Sequence, residues 1–145
     1  MKDFILGLSE FIVLEDIQEN EKDMLIIVET KSPPLSCPHC GRRTKLYKHG
    51  SRIQIILDLP IRLKRVGLQL NRKRYKCREC GSTFWERLSS VEEKRSMTKR
   101  LLKSIEEQSL FKPFTEVAES VGVDEKTVRN IFKNCAVLKK REYHY

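Results

Sequence analysis

The sequence predicts an α+β fold in two parts, a small β domain over residues 1–90 and a three-helix domain over residues 91–145. Three observations predict it. Apolar and polar residues alternate in short runs up to residue 76, two copies of C-x-x-C-G punctuate that region, and past Trp85 the apolar spacing lengthens to the helical period. A chain of 145 residues is too short for two substantial hydrophobic cores, so one part needs a staple.

The β domain opens with an acidic hairpin. Residues 11–17 (FIVLEDI) and 24–30 (MLIIVET) are β-rich, and the polar "QENEKD" joins them as a turn. "KSPPLS" then breaks regular structure and delivers the chain to the first cysteine pair. "RIQIILDLP" and "RVGLQLNRKRYKC" alternate apolar and polar residues and read as two further strands, the second ending in the second pair. In the helical part, "MTKRLLKSIEEQSL" places Met97, Leu101, Leu102 and Ile105 on one face of a helix over 97–110. Helices over about 114–121 and 125–135 follow, and the domain boundary falls in 86–95.

Cys37, Cys40, Cys77 and Cys80 form C-x₂-C-x₃₆-C-x₂-C. Two residues between paired cysteines let both sulfurs converge on one ion, and Gly41 and Gly81 permit the tight turn whose N–H groups can face the thiolates. Two such knuckles give four soft ligands in a closed tetrahedron, the geometry of one structural Zn²⁺. The 36-residue spacer is long for a compact ribbon and requires residues 50–76 to return as a hairpin. A rubredoxin-like iron centre shares the ligand set, and a C-x-x-C redox couple is the other reading, although the βαβ pattern it usually accompanies is missing. His39 reads as surface, His49 as a turn residue or phosphate contact, and Cys135 as a small buried hydrophobe.

Charge is unevenly spread. Residues 1–30 carry two Lys/Arg against eight Asp/Glu, residues 31–85 fourteen against two, and residues 86–145 thirteen against ten. A block at +12 favours a polyanion, nucleic acid above all. Within it Arg42, Arg43, Lys45, Lys48, Arg72, Lys73, Arg74 and Lys76 are expected along phosphates. Asp58 is expected to pair inside the protein, and Phe84 and Trp85 to cover the small core.

"FTEVAESVGVDEKTVRNIFK" has the marks of a helix-turn-helix. Ala118 is small where two helices cross, Gly122 makes the turn, Asp124 caps the second helix, and Val128 and Ile131 close the core. That helix projects Lys126, Arg129, Asn130 and Lys133, suited to guanine edges, adenine edges and phosphates. An αα-hairpin with a solvated polar face has the same periodicity.

Taken together, "SCPHCG", "YKHG", Arg52, the "DLP" of Asp58 to Pro60, Leu68 and Leu70, Arg72 to Cys77, Phe84, Glu86 and "MTKRL" resemble, in order, the ISL-three family of bacterial insertion-sequence transposases. The resemblance implies that the zinc-binding and helix-turn-helix segments recognise terminal inverted repeats in double-stranded DNA. It places the Asp-Asp-Glu catalytic domain downstream, and "KKREYHY" stands about where that domain should begin. The expectation is therefore a non-catalytic recognition part of a truncated transposase, cytoplasmic and nucleoid-associated in a bacterium. Its partners are DNA and, in addition, the full-length transposase or itself, with no membrane and no small-molecule substrate. A free-standing zinc-containing transcriptional regulator, and a zinc-ribbon module for RNA or protein, stay open as alternatives.

Overall fold

The computed structural model describes residues 6–43 and 46–142, with the backbone alone at 15, 16 and 136–142. Among the described residues seven strands and three α-helices run in chain order: β1 (Phe11–Glu19), β2 (Asp23–Thr30), β3 (Leu46–Ile61), β4 (Lys64–Cys77), β5 (Thr83–Trp85), β6 (Val91–Glu92), β7 (Met97–Thr98), α1 (Lys99–Gln108), α2 (Phe114–Val121) and α3 (Glu125–Glu142). The sheet order is β1-β2-β4-β3-β7-β6, with β5 on β4. The α+β class and the order of its parts stand as the sequence predicts.

Both hairpins close for local reasons. Asn20 turns the first: its side-chain oxygen accepts from the Lys22 and Asp23 amides at 2.9 and 2.8 Å, an Asx turn. The second turns on Arg62 and Leu63 alone, with φ of +52° and +67°. Two successive left-handed residues match the right-handed twist of the strands they join, although neither is the Asn or Gly that such a turn prefers. This hairpin returns the chain from the first cysteine pair to the second and so absorbs the long spacer.

The chain divides into two compact units that share strands β1 to β4. The first holds the chain up to Ile17, Ile26–Ile55 and Leu68–Ser90; the second holds Gln18–Leu25, Ile56–Gly67 and the chain from Val91 onward. In the first, Phe11, Ile26, Val28, Leu68, Leu70 and Tyr75 are buried. Beside them β5 pairs antiparallel with the end of β4, Arg74 opposite Trp85 and Tyr75 opposite Phe84. Phe84 stacks on Tyr75 with ring centroids 6.1 Å apart.

The second unit has its core among Met97, Leu101, Ile105, Val117, Ala118, Val121, Val128 and Ile131, with Leu57 and Leu59 packed on it. Met97 and Leu101 do share an apolar side, but Met97 lies in a strand. It pairs in parallel with Leu57, and Thr98 then caps α1 by accepting from the Leu101 amide at 3.3 Å. The helix accordingly starts two residues later than periodicity alone gives. At the other turn Gly122, with φ +89°, closes α2 by donating to the Ala118 carbonyl at 3.0 Å. Left-handed backbone of this kind carries almost no cost in glycine alone.

Candidate metal centre and nucleic-acid interface

The two knuckles are built alike. The Gly41 amide donates to the Cys37 carbonyl at 2.8 Å and the Gly81 amide to the Cys77 carbonyl at 2.9 Å. Cys37 and Cys77 in turn donate to the Arg42 and Ser82 carbonyls at 3.1 and 2.9 Å. Gly41 and Gly81 sit at φ +71° and +74°, so each turn needs a residue without a Cβ. Their amides close the turns rather than face the sulfurs. Amides of the residues that follow hydrogen-bond to sulfur, Arg42 to Cys40 and Ser82 to Cys80.

The sulfurs meet across the knuckles. Cys37 Sγ lies 3.7 Å from Cys80 Sγ, and Cys40 Sγ lies 3.8 Å from Cys77 Sγ. All four fall within 4.8 Å of one another. A disulfide would need sulfurs at about 2.05 Å. Zn–S bonds of about 2.3 Å place the corners of a regular tetrahedron about 3.8 Å apart, so the four thiolates fit one zinc ion. Four neighbouring thiols cannot all ionise without a cation. The Arg42 amide favours the Cys40 thiolate, yet desolvation and hydrogen bonds with the other three cysteines outweigh it and push that thiol up to about 11. Cys80 moves the other way, lowered by hydrogen bonds from Ser82.

The basic strand residues separate into distinct roles. Arg42, Arg43 and Lys48 are exposed, Lys73, Arg74 and Lys76 half-buried, and Lys45 lies outside the described residues. Arg42 stands 3.9 Å from the Glu79 carboxylate. Arg72 departs from the expectation of a phosphate contact. It is 5% exposed, and its guanidinium donates to the Glu86 carbonyl at 2.6 and 3.1 Å and to Gln54 at 3.2 Å. Strand alternation turns it inward while its neighbour Lys73 points elsewhere. Glu86, itself buried, accepts the Thr30 hydroxyl at 2.7 Å and the Lys73 amide at 2.9 Å.

A second buried acid organises the helical unit. Asp58 is 1% exposed and accepts the Thr98 hydroxyl at 2.7 Å and the Arg100 guanidinium at 2.8 Å on the same oxygen. Its other oxygen also pairs with Arg100. Asp58 thus pairs inside the protein, and the link explains why "DLP" and "MTKR" occur together in one sequence.

On α3 the turn is capped as the sequence predicts, Asp124 accepting the Thr127 amide at 2.8 Å. Lys126, Arg129, Asn130 and Lys133 are all exposed, at helical spacings of three, four and seven that place them on one face. Arg129 pairs with Glu125 one turn earlier. His39 and His49 are exposed; the His49 carbonyl, not its ring, accepts from Arg74 at 2.8 Å. Cys135 is half-buried. Phe84 is half-buried and stacks on the buried Tyr75, and Trp85, half-buried too, lies beneath two guanidiniums, those of Arg52 and Arg74, at 4.6 and 5.6 Å from its ring centroid. Arg52 stood out in the sequence only through the family resemblance, and its contact with Trp85 did not, because the two are 33 residues apart.

No helix among the described residues is long and apolar enough to cross a membrane. No curated protein and no solved structure matches the chain significantly. Residues 33–80 match the family described as the zinc-finger of transposase IS204/IS1001/IS1096/IS1165. Residues 86–136 match the helix-turn-helix domain of transposase family ISL3. The tetrathiolate centre is therefore a zinc site, and the capped pair α2–α3 is a DNA-binding motif. With both of its folded parts matched in order, the chain belongs to the ISL3 transposase family over its zinc-finger and helix-turn-helix region.

Proposed function

We propose that the protein is a sequence-specific reader of double-stranded DNA at the terminal inverted repeats of an insertion sequence, with residues 1–90 and 91–145 as its two functional parts. The observation that carries the reading is the exposed face of α3, where Lys126, Arg129, Asn130 and Lys133 follow a capped three-residue turn. Side chains at the start of such a helix reach base edges in the major groove. Arg129 and Asn130 select bases, and Lys126 and Lys133 meet phosphates. On the zinc-bearing part, Arg42, Arg43, Lys48, Lys73, Arg74 and Lys76 supply sequence-independent attraction, which strengthens binding and its salt dependence without adding specificity. The protein recognises element ends and leaves cutting to a catalytic domain.

Fluorescence anisotropy on a terminal-repeat duplex and a scrambled duplex tests this. The repeat is bound more tightly, and Arg129→Ala removes about 1–3 kcal/mol of the difference. Equal affinity for the two duplexes would overturn the reading. With Mg²⁺ present the same duplex stays intact on a denaturing gel, and strand nicking would show an activity the proposal denies.

A further inference from the structure

Arg52 on β3, Arg74 on β4 and Trp85 on β5 form a cluster in the first unit. Both guanidiniums lie over the indole, at 4.6 and 5.6 Å from its centroid, within the range of a cation–π contact. Arg74 is further fixed by donating to the His49 carbonyl at 2.8 Å. Among the described residues neither guanidinium has a carboxylate partner. This contrasts with Arg65, held at 2.6 and 2.8 Å by Asp23, and with Arg100, held by the buried Asp58. Two cations gathered on one ring repel each other. The negative face of the indole offsets only part of that repulsion, so the cluster is completed by an anion.

The chemistry of that anion follows from the donors. A guanidinium held over a ring still offers N–H groups that match phosphate oxygens bidentately, and at Arg74, whose Nε is taken by the His49 carbonyl, the two terminal nitrogens supply them. Lysine would supply charge without the fork. We infer that Arg52 and Arg74, oriented by Trp85, form a phosphate clamp that grips the backbone of duplex DNA on the zinc-bearing unit. The inference rests on the DNA-binding reading above and adds to it Arg52, a backbone contact, and Trp85, a positioning residue.

The protein has a single tryptophan, so its emission reports on this cluster alone. Titrating the zinc-loaded protein with a duplex shifts Trp85 emission, for the terminal repeat and for a scrambled duplex alike. Arg52→Ala and Arg52→Gln each weaken both duplexes by the same factor and lower the slope of log K against log salt by about 0.9, the value for one phosphate contact. Preference for the repeat is retained. Zinc content and circular dichroism establish that each variant is folded, and the glutamine variant keeps most of the side-chain stem. The clamp is overturned if emission stays unchanged at saturating duplex, or if the folded variants keep the wild-type salt slope. Failure of the helix-turn-helix reading looks different: wild-type preference for the repeat is then missing while the slope still responds to Arg52.

Discussion

Asp58 and Glu86 stand at 1% and 3% exposure, and each is surrounded by donors from other elements. A buried carboxylate is tolerated only when its oxygens are occupied, which ties "DLP" to Thr98 and Arg100 and Glu86 to Thr30 and the β4 backbone. Asp58→Ala removes the carboxylate that holds both the Thr98 hydroxyl and the Arg100 guanidinium. We expect a loss of about 3 kcal/mol, read as a fall in the urea midpoint at constant slope. Loss of less than about 1 kcal/mol would show that water replaces the carboxylate. Asp124 gives a milder, pH-dependent effect. Hydrogen bonds from Thr127 hold its carboxyl below the usual range. Its folded pKa is depressed, so its contribution is complete above the unfolded carboxylate pKa and is lost as pH falls through the folded value. Asp124→Asn keeps the cap and removes the titration. The acid limb of the helical unit's stability profile should then flatten, while stability near neutrality stays close to wild type.

At the scale of elements, the β3–β4 turn holds strain that sequence repair can release. Arg62 and Leu63 both occupy the left-handed region, at a cost of roughly 1–2 kcal/mol per residue. Replacing them together by Asn-Gly supplies the residues this two-residue turn prefers. The double variant should gain about 1–2 kcal/mol in thermal or urea unfolding, and no gain would mean that the flanking strands already impose the turn. The same turn shows what was legible in the sequence. The alternation of "RIQIILDLP" and "RVGLQLNRKRYKC" marks both strands, because half-buried sheet forces a period of two. The short strands at 83–98 carry too few residues for any period to show, and so Met97 reads as part of a helix. The cysteine centre was fully legible, since its spacing and its geometry express one constraint. The basic run Arg72-Lys73-Arg74 was not. Composition sees three equal cations, while long-range partners separate them: Arg72 is held by the Glu86 carbonyl and Arg74 stands opposite Trp85 on β5.

At the scale of the molecule, the metal and the apolar core stabilise different units. Four ligands from two knuckles hold the first unit's loops, and the second unit packs an apolar cluster beside the buried Asp58, with no metal-ligating cluster among its described residues. Withdrawing zinc removes the cation that lets so many thiolates stand together, because thiolates so close cannot all stay charged without the ion. The Cys40 thiol, pushed up to about 11, is protonated at neutral pH once the metal leaves. Zinc affinity therefore falls as pH falls, and acid and chelator act in the same direction. The expected consequence is graded rather than global. With a strong chelator at neutral pH, amide hydrogen exchange should accelerate first in the knuckles at 37–42 and 77–82 and in β5. The amides of α1 and α2 keep their protection, since the packing of Leu101, Ile105, Val117 and Val128 contains no ligand to lose. Cys37→Ser should reproduce the pattern without chelator. If the helices lose protection at the same chelator concentration as the knuckles, folding is a single cooperative step, and zinc stabilises the DNA-reading helices as directly as it does the ribbon.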